Sequence, residues 1–466
     1  MAGRSVGAWR RRRVIAVALA SLVAPAMLAA PVSAAKPASG TWSGPVAISP
    51  ALQPDPTRGS QIHDVAVNAG GTTIAAWDQF SYTGSGGSTI GAAVQTAGKW
   101  GTPFTVSATG GYSTTPRVAV GADGTLAVSW IYQDSSVTTP APQEKVQVAV
   151  RPAGSTTWTT SDLATYAMGG TQGTGQTVPI GIDARGNLTA AWSAWDGTRH
   201  TIRAASWTAA AGWGAPATIT PTGFDGLWPA LSVNARGDAA LVYTASPWAY
   251  GTMPAATYSF RSGPGGTWSS QAAPWTGGAG MVELDGNGRA TLVARPAGLE
   301  ASRQLPDGSF TTPVTAIPSP IAGGSWVSTD LAMDANGNAL VVAAIFDATV
   351  NVDRSTVWVS RGSPTGAWTT PVRLTDPTVP IDAYAAQAAV SPDGGLMLAG
   401  WIDHYHGTVQ VARWSGGAWT TTTIGRGTAF SSFQEVLALD ASSSAVARAT
   451  WKNTKGGTTI YATGFK

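Results

Sequence analysis

One short phrase is written eight times in this chain, and that repetition limits the fold more than any other feature. The copies are VAVNAGGTTIAAW (65–77), VAVGADGTLAVSW (118–130), IGIDARGNLTAAW (180–192), LSVNARGDAALVY (231–243), VELDGNGRATLVA (282–294), LAMDANGNALVVA (331–343), AAVSPDGGLMLAGW (388–401) and LALDASSSAVARATW (437–451). Apolar residues alternate, a turn of Asn/Asp-x-x-Gly character follows, and a second alternating run ends on Trp in five copies. Alternation at period two predicts strands, and the polar turn between two such runs predicts a hairpin. An Asn or Asp at the first turn position bonds nearby backbone, while the glycine accepts a positive φ. DANGN (334–338) superficially resembles part of a calcium loop but lacks the other acidic ligands and the terminal Glu.

A second pair of runs follows each hairpin, as in VQVAVRPAGSTTWTTSDL (146–163) and VWVSRGSPTGAWTTPVRLT (357–375). An arginine precedes an aromatic by seven residues at Arg151–Trp158, Arg261–Trp268, Arg303–Phe310 and Arg361–Trp368, and by six at Arg413–Trp419. Such spacing across a tight turn predicts cross-strand neighbours with the guanidinium over the ring, a structural staple rather than a catalytic arginine. Four strands per repeat is the unit of a β-propeller blade. The turn glycines from Gly71 to Gly394 stand 49 to 62 residues apart. TWSGPVAIS (41–49) reads as a fourth strand without its first three, and 437–463 as three strands without a fourth. Their union predicts an eight-bladed propeller, all-β, closed by the N-terminal strand pairing into the last blade; seven blades is the alternative.

The chain opens with a basic stretch, Arg4 and Arg10 to Arg13, then an apolar run, Val14 to Ala30, and small-x-small sequences at 32–35. This predicts a signal peptide over 1–35 and a single propeller domain over 36–466, exported by the general or the twin-arginine route. Five of the 28 basic residues fall in the leader and none of the 25 acidic ones, leaving 23 against 25. The overall charge of +3 is therefore no argument for a nucleic-acid partner. The absence of cysteine excludes disulfides, thiolate metal sites and a Cys nucleophile. The expected product is a secreted monomer, free of the membrane once the leader is removed.

The repeat is similar to that of secreted bacterial β-propeller proteins over nearly all of 36–466. More distantly it resembles the sialidase-like propellers, whose hairpins carry Ser-x-Asp-x-Gly-x-x-Trp. Pro306-Asp307-Gly308-Ser309-Phe310 comes nearest, with a different Asp-to-Gly spacing and Phe for Trp. The arginine cluster, Tyr–Glu pair and acid/base Asp of a sialidase have no counterparts placed on this sequence. That resemblance implies a fold, and a fold does not imply an activity.

Function is sought where the repeat is broken. Between the paired apolar positions of the first strand stand Ala66, Ala119, Gly181, Ser232, Ala332, Ala389 and Ala438, but Glu283 in the fifth copy, one of only four Glu. That copy also has Ala294 in place of the terminal aromatic. Glu283 reads either as a general acid or base with a burial-raised pKa, or as half of an ion pair with Arg295 or Arg289. The ion pair is the reading preferred. Beyond the second strands stand Asp78, Asp134, Asp196, Asp347 and Asp403. Nearby or in blade-joining loops are Tyr82, Trp195, Trp228, Trp248, Tyr250, Trp326, Tyr384, Phe433 and Glu435. Carboxylates beside aromatic faces suit a sugar, though turn capping and blade packing would use the same residues. His404 and His406 in IDHYH, with Asp403 and the distant His63, lack a third fixed ligand, so no metal or cofactor is expected. The favoured expectation is a non-catalytic propeller, leaning away from an enzyme, that binds a glycan or protein through loops at the channel mouth. The alternatives are a sialidase-like or other propeller glycoside hydrolase or lyase, and a structural cell-envelope protein.

Overall fold

The computed structural model describes residues 40–50, 63–81, 87–134, 143–167, 177–247, 255–276, 280–295, 298–318, 325–346, 355–379, 381–426, 437–443, 445–453 and 459–466. All regular structure in them is β, in antiparallel meanders of the kind formed by Phe224–Val233, Ala239–Pro247, Ala255–Arg261 and Ser269–Thr276 in that order. Most meanders are separate sheets of four or five strands, while the first two join into one nine-stranded sheet through a parallel bridge from Ser88 to Tyr112. The first strands touch in succession, from His63–Val67 to Tyr112–Val120 and onward. Leu437–Ser443 then returns to touch His63–Val67. Val46–Ala47 pairs antiparallel with Thr459–Phe465, Val46 opposite Ala462, so the two ends of the chain share one sheet as expected.

The predicted turns form for the predicted reason. Asn234 Oδ1 accepts the N–H groups of Arg236 and Asp238, and Asp334 Oδ1 those of Asn336 and Asn338. Gly237 and Gly337 take φ of 85° and 89°. Carboxylates used in this way are occupied by the chain's own donors rather than offered to calcium. The turns also bond to one another between repeats, Ala184 N–H to the Ala235 carbonyl and Gly286 N–H to that of Ala335.

Packing between repeats rests on the terminal aromatics. Trp77, Trp130, Trp192, Trp401, Trp451 and Tyr243 are all buried, and each lies in a cluster with residues of the preceding repeat or of the closing sheet. Trp192, for instance, packs with Val146 and Val148. A Cβ at Gly91 would lie 2.5 Å from Trp77 Nε1, so the bare glycine makes room for the indole. Where Ala294 replaces the aromatic, Tyr258 and Trp275 of the preceding repeat fill the shared cluster.

The arginine staples differ from expectation. Arg151 and Arg261 lie over Trp158 and Trp268 as predicted, at 5.7 and 5.2 Å. Arg361 instead covers Trp414 and Arg413 covers Phe465, aromatics of the following repeat. Arg303 forms a buried ion pair with Asp285 while Phe310 packs edge-on against Tyr258. A long guanidinium stem reaches across the gap between sheets as easily as across a hairpin, so spacing alone does not choose its ring.

Truncating Trp192 to Ala is expected to destabilise the protein by about 3–5 kcal/mol through the cavity left between two sheets. Denaturant unfolding measures this; a loss below about 1 kcal/mol would show that the aromatic does not carry the inter-repeat packing.

Candidate active site: carboxyls where the first strands meet

The first strand of each sheet has one edge that its own sheet leaves unpaired, and the N–H groups on that edge need acceptors. Acidic residues of the preceding repeat supply them. Asp64 accepts from Val65 N–H and, across to the next repeat, from Val118 N–H, both at 3.0 Å. Asp330 does the same for Leu331 and Ala388 at 2.9 Å, and Asp440 for Ala441 and Val67 at 2.8 Å. At the fifth repeat the bridge is Ser232, whose hydroxyl accepts from Leu284 N–H at 3.0 Å and donates to Glu283 Oε2 at 2.8 Å.

Glu283, Asp330 and Asp440 line one cavity of about 280 Å³, with Leu331, Ala332 and Ala389 among its other walls. Each carboxyl keeps partial contact with this space, yet protein surrounds it closely. Burial is the main reason that the pKa of Glu283 rises to about 8. The Ser232 hydrogen bond opposes that rise and the charges of Asp330 and Asp440 add to it. Burial likewise raises Asp330 and Asp440 to about 6 against two backbone N–H bonds apiece, and it raises Asp64 against the nearby Arg117. Near neutral pH this leaves one protonated carboxyl beside ionised ones, the combination that acid–base chemistry requires. The expected Glu283–Arg295 or Glu283–Arg289 ion pair is absent among the described residues, where the side-chain partner of Glu283 is Ser232.

Asp64, Asp330 and Asp440 were not among the sequence candidates. Asp64 and Asp330 stand directly before the repeated phrase, where the second and seventh copies carry Arg117 and Gln387. The same acid at the same step twice was a usable signal. Asp440 was hidden by alignment. Counted from the phrase's first residue, Ala438 matches Ala66; strand pairing sets Asp440 opposite Arg448, three before Trp451, as Ala66 lies opposite Ile74, three before Trp77. Asp440 therefore occupies the position of Glu283; by strand pairing the last copy begins at Leu439, two residues after Leu437, and its turn is as long as that of the first copy.

The loop candidates lie on separate repeats. Asp78 and Asp403 are buried, Asp403 against His406 Nδ1 at 2.6 Å. Asp134 ends its strand half-buried. Asp196 is exposed and caps its own turn, its carboxylate held below the usual range by the Thr198 hydroxyl and the N–H groups of Thr198 and Arg199. Trp195 packs on His200, Trp326 joins a core cluster, and Tyr384 meets His404 edge-on. Asp382 takes His404 while Asp403 takes His406, so the two histidines serve different carboxylates. Among the described residues no group of three or more His, Asp or Glu is placed to hold a metal. Asp347, Phe433, Glu435, Tyr82, Trp248 and Tyr250 lie outside the described residues.

Trp228 stands apart. It sits in a bulge of the strand that carries Ser232, at φ 53° and 59% exposed. Thr115 and Ala385 take the same backbone at the matching step of their repeats, so the bulge belongs to the scaffold. Among the described residues, a bulky aromatic in that sterically disfavoured conformation, with its ring in solvent, occurs at Trp228 of the fourth repeat.

No family model matches the chain, and no curated protein matches it. Among solved structures it is similar to the polysaccharide lyase Uly1, at 11% identity over 86% of this chain and 89% of that one, with a TM-score of 0.46. It is also similar to an α-L-arabinanase of Penicillium chrysogenum, at 11% identity over 91% and 98%, with a TM-score of 0.44. The intramolecular trans-sialidase of Ruminococcus gnavus matches at 11% identity over 74% and 90%, with a TM-score of 0.38. These likenesses concern the fold, and they agree with the distant resemblance to sialidase-like propellers. The expectation of a non-catalytic binding propeller, leaning away from an enzyme, is corrected here: the similar structures include a polysaccharide lyase, an arabinanase, an arabinofuranosidase and a trans-sialidase.

Proposed function

We propose that this chain is a carbohydrate-active enzyme of the glycoside hydrolase or lyase class, acting from the centre of an eight-bladed propeller. The eight blades are the separate meanders, the two halves of the nine-stranded sheet, and the sheet completed by Val46–Ala47. The observation that carries the reading is the convergence of Glu283, Asp330 and Asp440 on one cavity. Glu283, protonated near neutral pH, gives its proton to the departing glycosidic oxygen. Asp330, whose charge acts on Glu283 more strongly than that of Asp440, takes a proton from the attacking water, or from the sugar carbon in a lyase. Trp228 offers a flat apolar face on the strand that holds Ser232, suited to stacking against a sugar ring. Residues 1–35 would direct export, which places the substrate outside the cell.

The test is a panel of chromogenic glycosides and uronate-containing polysaccharides, assayed with wild type, Glu283→Gln and Asp330→Asn. Turnover of at least one substrate, cut by about 10²–10⁴-fold in each variant, is expected. Turnover undiminished in Glu283→Gln would remove the carboxyl cluster from the chemistry.

The pH profile should be bell-shaped. Activity rises through about 6 as Asp330 ionises and falls through about 8 as Glu283 does. Stability moves with the same groups. The folded protein holds its protons to higher pH than the unfolded chain, so stability falls as pH rises from about 4.5 to about 8 on account of Glu283. Glu283→Gln should flatten that decline in unfolding experiments run across this range.

Trp228→Ala is expected to raise KM by about 3–10-fold with little change in kcat, the loss of one stacking contact made equally in ground and transition states.

A further inference from the structure

The fifth repeat is the thinnest of the series, and a cleft opens beside it. Its third strand, Leu299–Arg303, has five residues where the third strands of the other repeats have seven to ten. Between it and the fourth repeat lies a cleft of about 960 Å³ that shares no lining residue with the carboxyl cavity. Ser269, Ser270 and Gln271 form one wall, Gln304 and Ser309 the other, and the rings of Tyr258 and Phe260 contribute the apolar surface. Among the described residues, bonds cross it from Gln271 Nε2 to the Gly308 carbonyl and from the Tyr258 hydroxyl to Gln304 Oε1, both at 3.2 Å.

Charge at the turn end of the cleft is uneven. The Arg236 guanidinium is neutralised by Asp238. Arg289 also lines the cleft, and its guanidinium has no hydrogen bond or ion pair among the described residues, while the adjacent Arg303 already holds Asp285. The one acid of the lining, Asp307, is occupied by the N–H and hydroxyl of Ser309. A hydroxyl- and amide-lined cleft of this volume with aromatic surface has room for several sugar residues, and a guanidinium without a counter-ion suits an acidic substituent on one of them.

We propose that this inter-repeat cleft is a second glycan-binding site, selective for an anionic polysaccharide, with Arg289 as its acid-recognising residue. It goes beyond the central chemistry and holds whether or not the carboxyl cluster catalyses anything. An anionic group on the glycan would come from uronate carboxylates or from sulfate esters, both of which a guanidinium recognises.

Affinity electrophoresis of the protein through gels containing polygalacturonate, heparin or dextran tests this. Retardation by polygalacturonate or heparin but not by dextran is expected, and the preferred gel tells carboxylate from sulfate. Arg289→Gln and Gln271→Glu should each weaken retardation at least five-fold, while Glu283→Gln should leave it unchanged and thereby separate this site from the central one. Both variants alter side chains that face the cleft, and unchanged melting temperatures would verify their folding. Retardation by dextran equal to that by the acidic polymers, none by any polymer, or full retardation of a folded Arg289→Gln would overturn the assignment.

Discussion

A strand at the inner edge of a radial sheet carries backbone donors that its own sheet cannot satisfy, and the centre of this protein is organised around that fact. A barrel removes such edges by closing the hydrogen-bond ladder; here successive sheets meet mainly by packing, so the inner edges remain and are capped by side chains. Asp64, Asp330, Asp440 and Ser232 each reach from one repeat to an N–H of the next. Each bond therefore ties neighbouring sheets together and brings a polar group to the axis.

The proposed chemistry grows from the same constraint. Acids recruited as caps line one cavity with protein packed closely around them, and burial raises their pKa values as a result. Asp330 and Asp440 accept two N–H bonds apiece, which favour the ionised form, and they settle near 6. Glu283 accepts from a hydroxyl alone and faces two other acids, and it settles near 8. The division between proton donor and proton acceptor thus follows from which caps have backbone donors to hold.

Much of the scaffold was legible in the residues. The alternating phrases, the Asx turns and the need for Val46–Ala47 to complete the last sheet all follow from local rules, because strand alternation and turn geometry are decided within a few residues. The site was legible only in part. Glu283 was conspicuous as a break in a repeat, but its partners were not. Asp64 and Asp330 looked like ordinary residues ahead of a strand, and counting the last copy from Leu437 rather than Leu439 left Asp440 two residues out of register. The arginines illustrate the same limit: the spacing to Trp158 and Trp268 held, whereas Arg361 and Arg413 chose rings of the next repeat.

By itself, the sequence determined the strands, their turns and the order in which they pair, since each depends on contacts between near neighbours along the chain. Tertiary structure alone decided which side chains meet across repeats. Asp440 and Val67 are separated by 373 residues and joined by a bond of 2.8 Å. Nothing local encodes that meeting, because it depends on the ring returning to its start. The raised pKa of Glu283 and the cleft beside the thin fifth repeat depend on the same long-range packing, and with them the two sites where function is proposed.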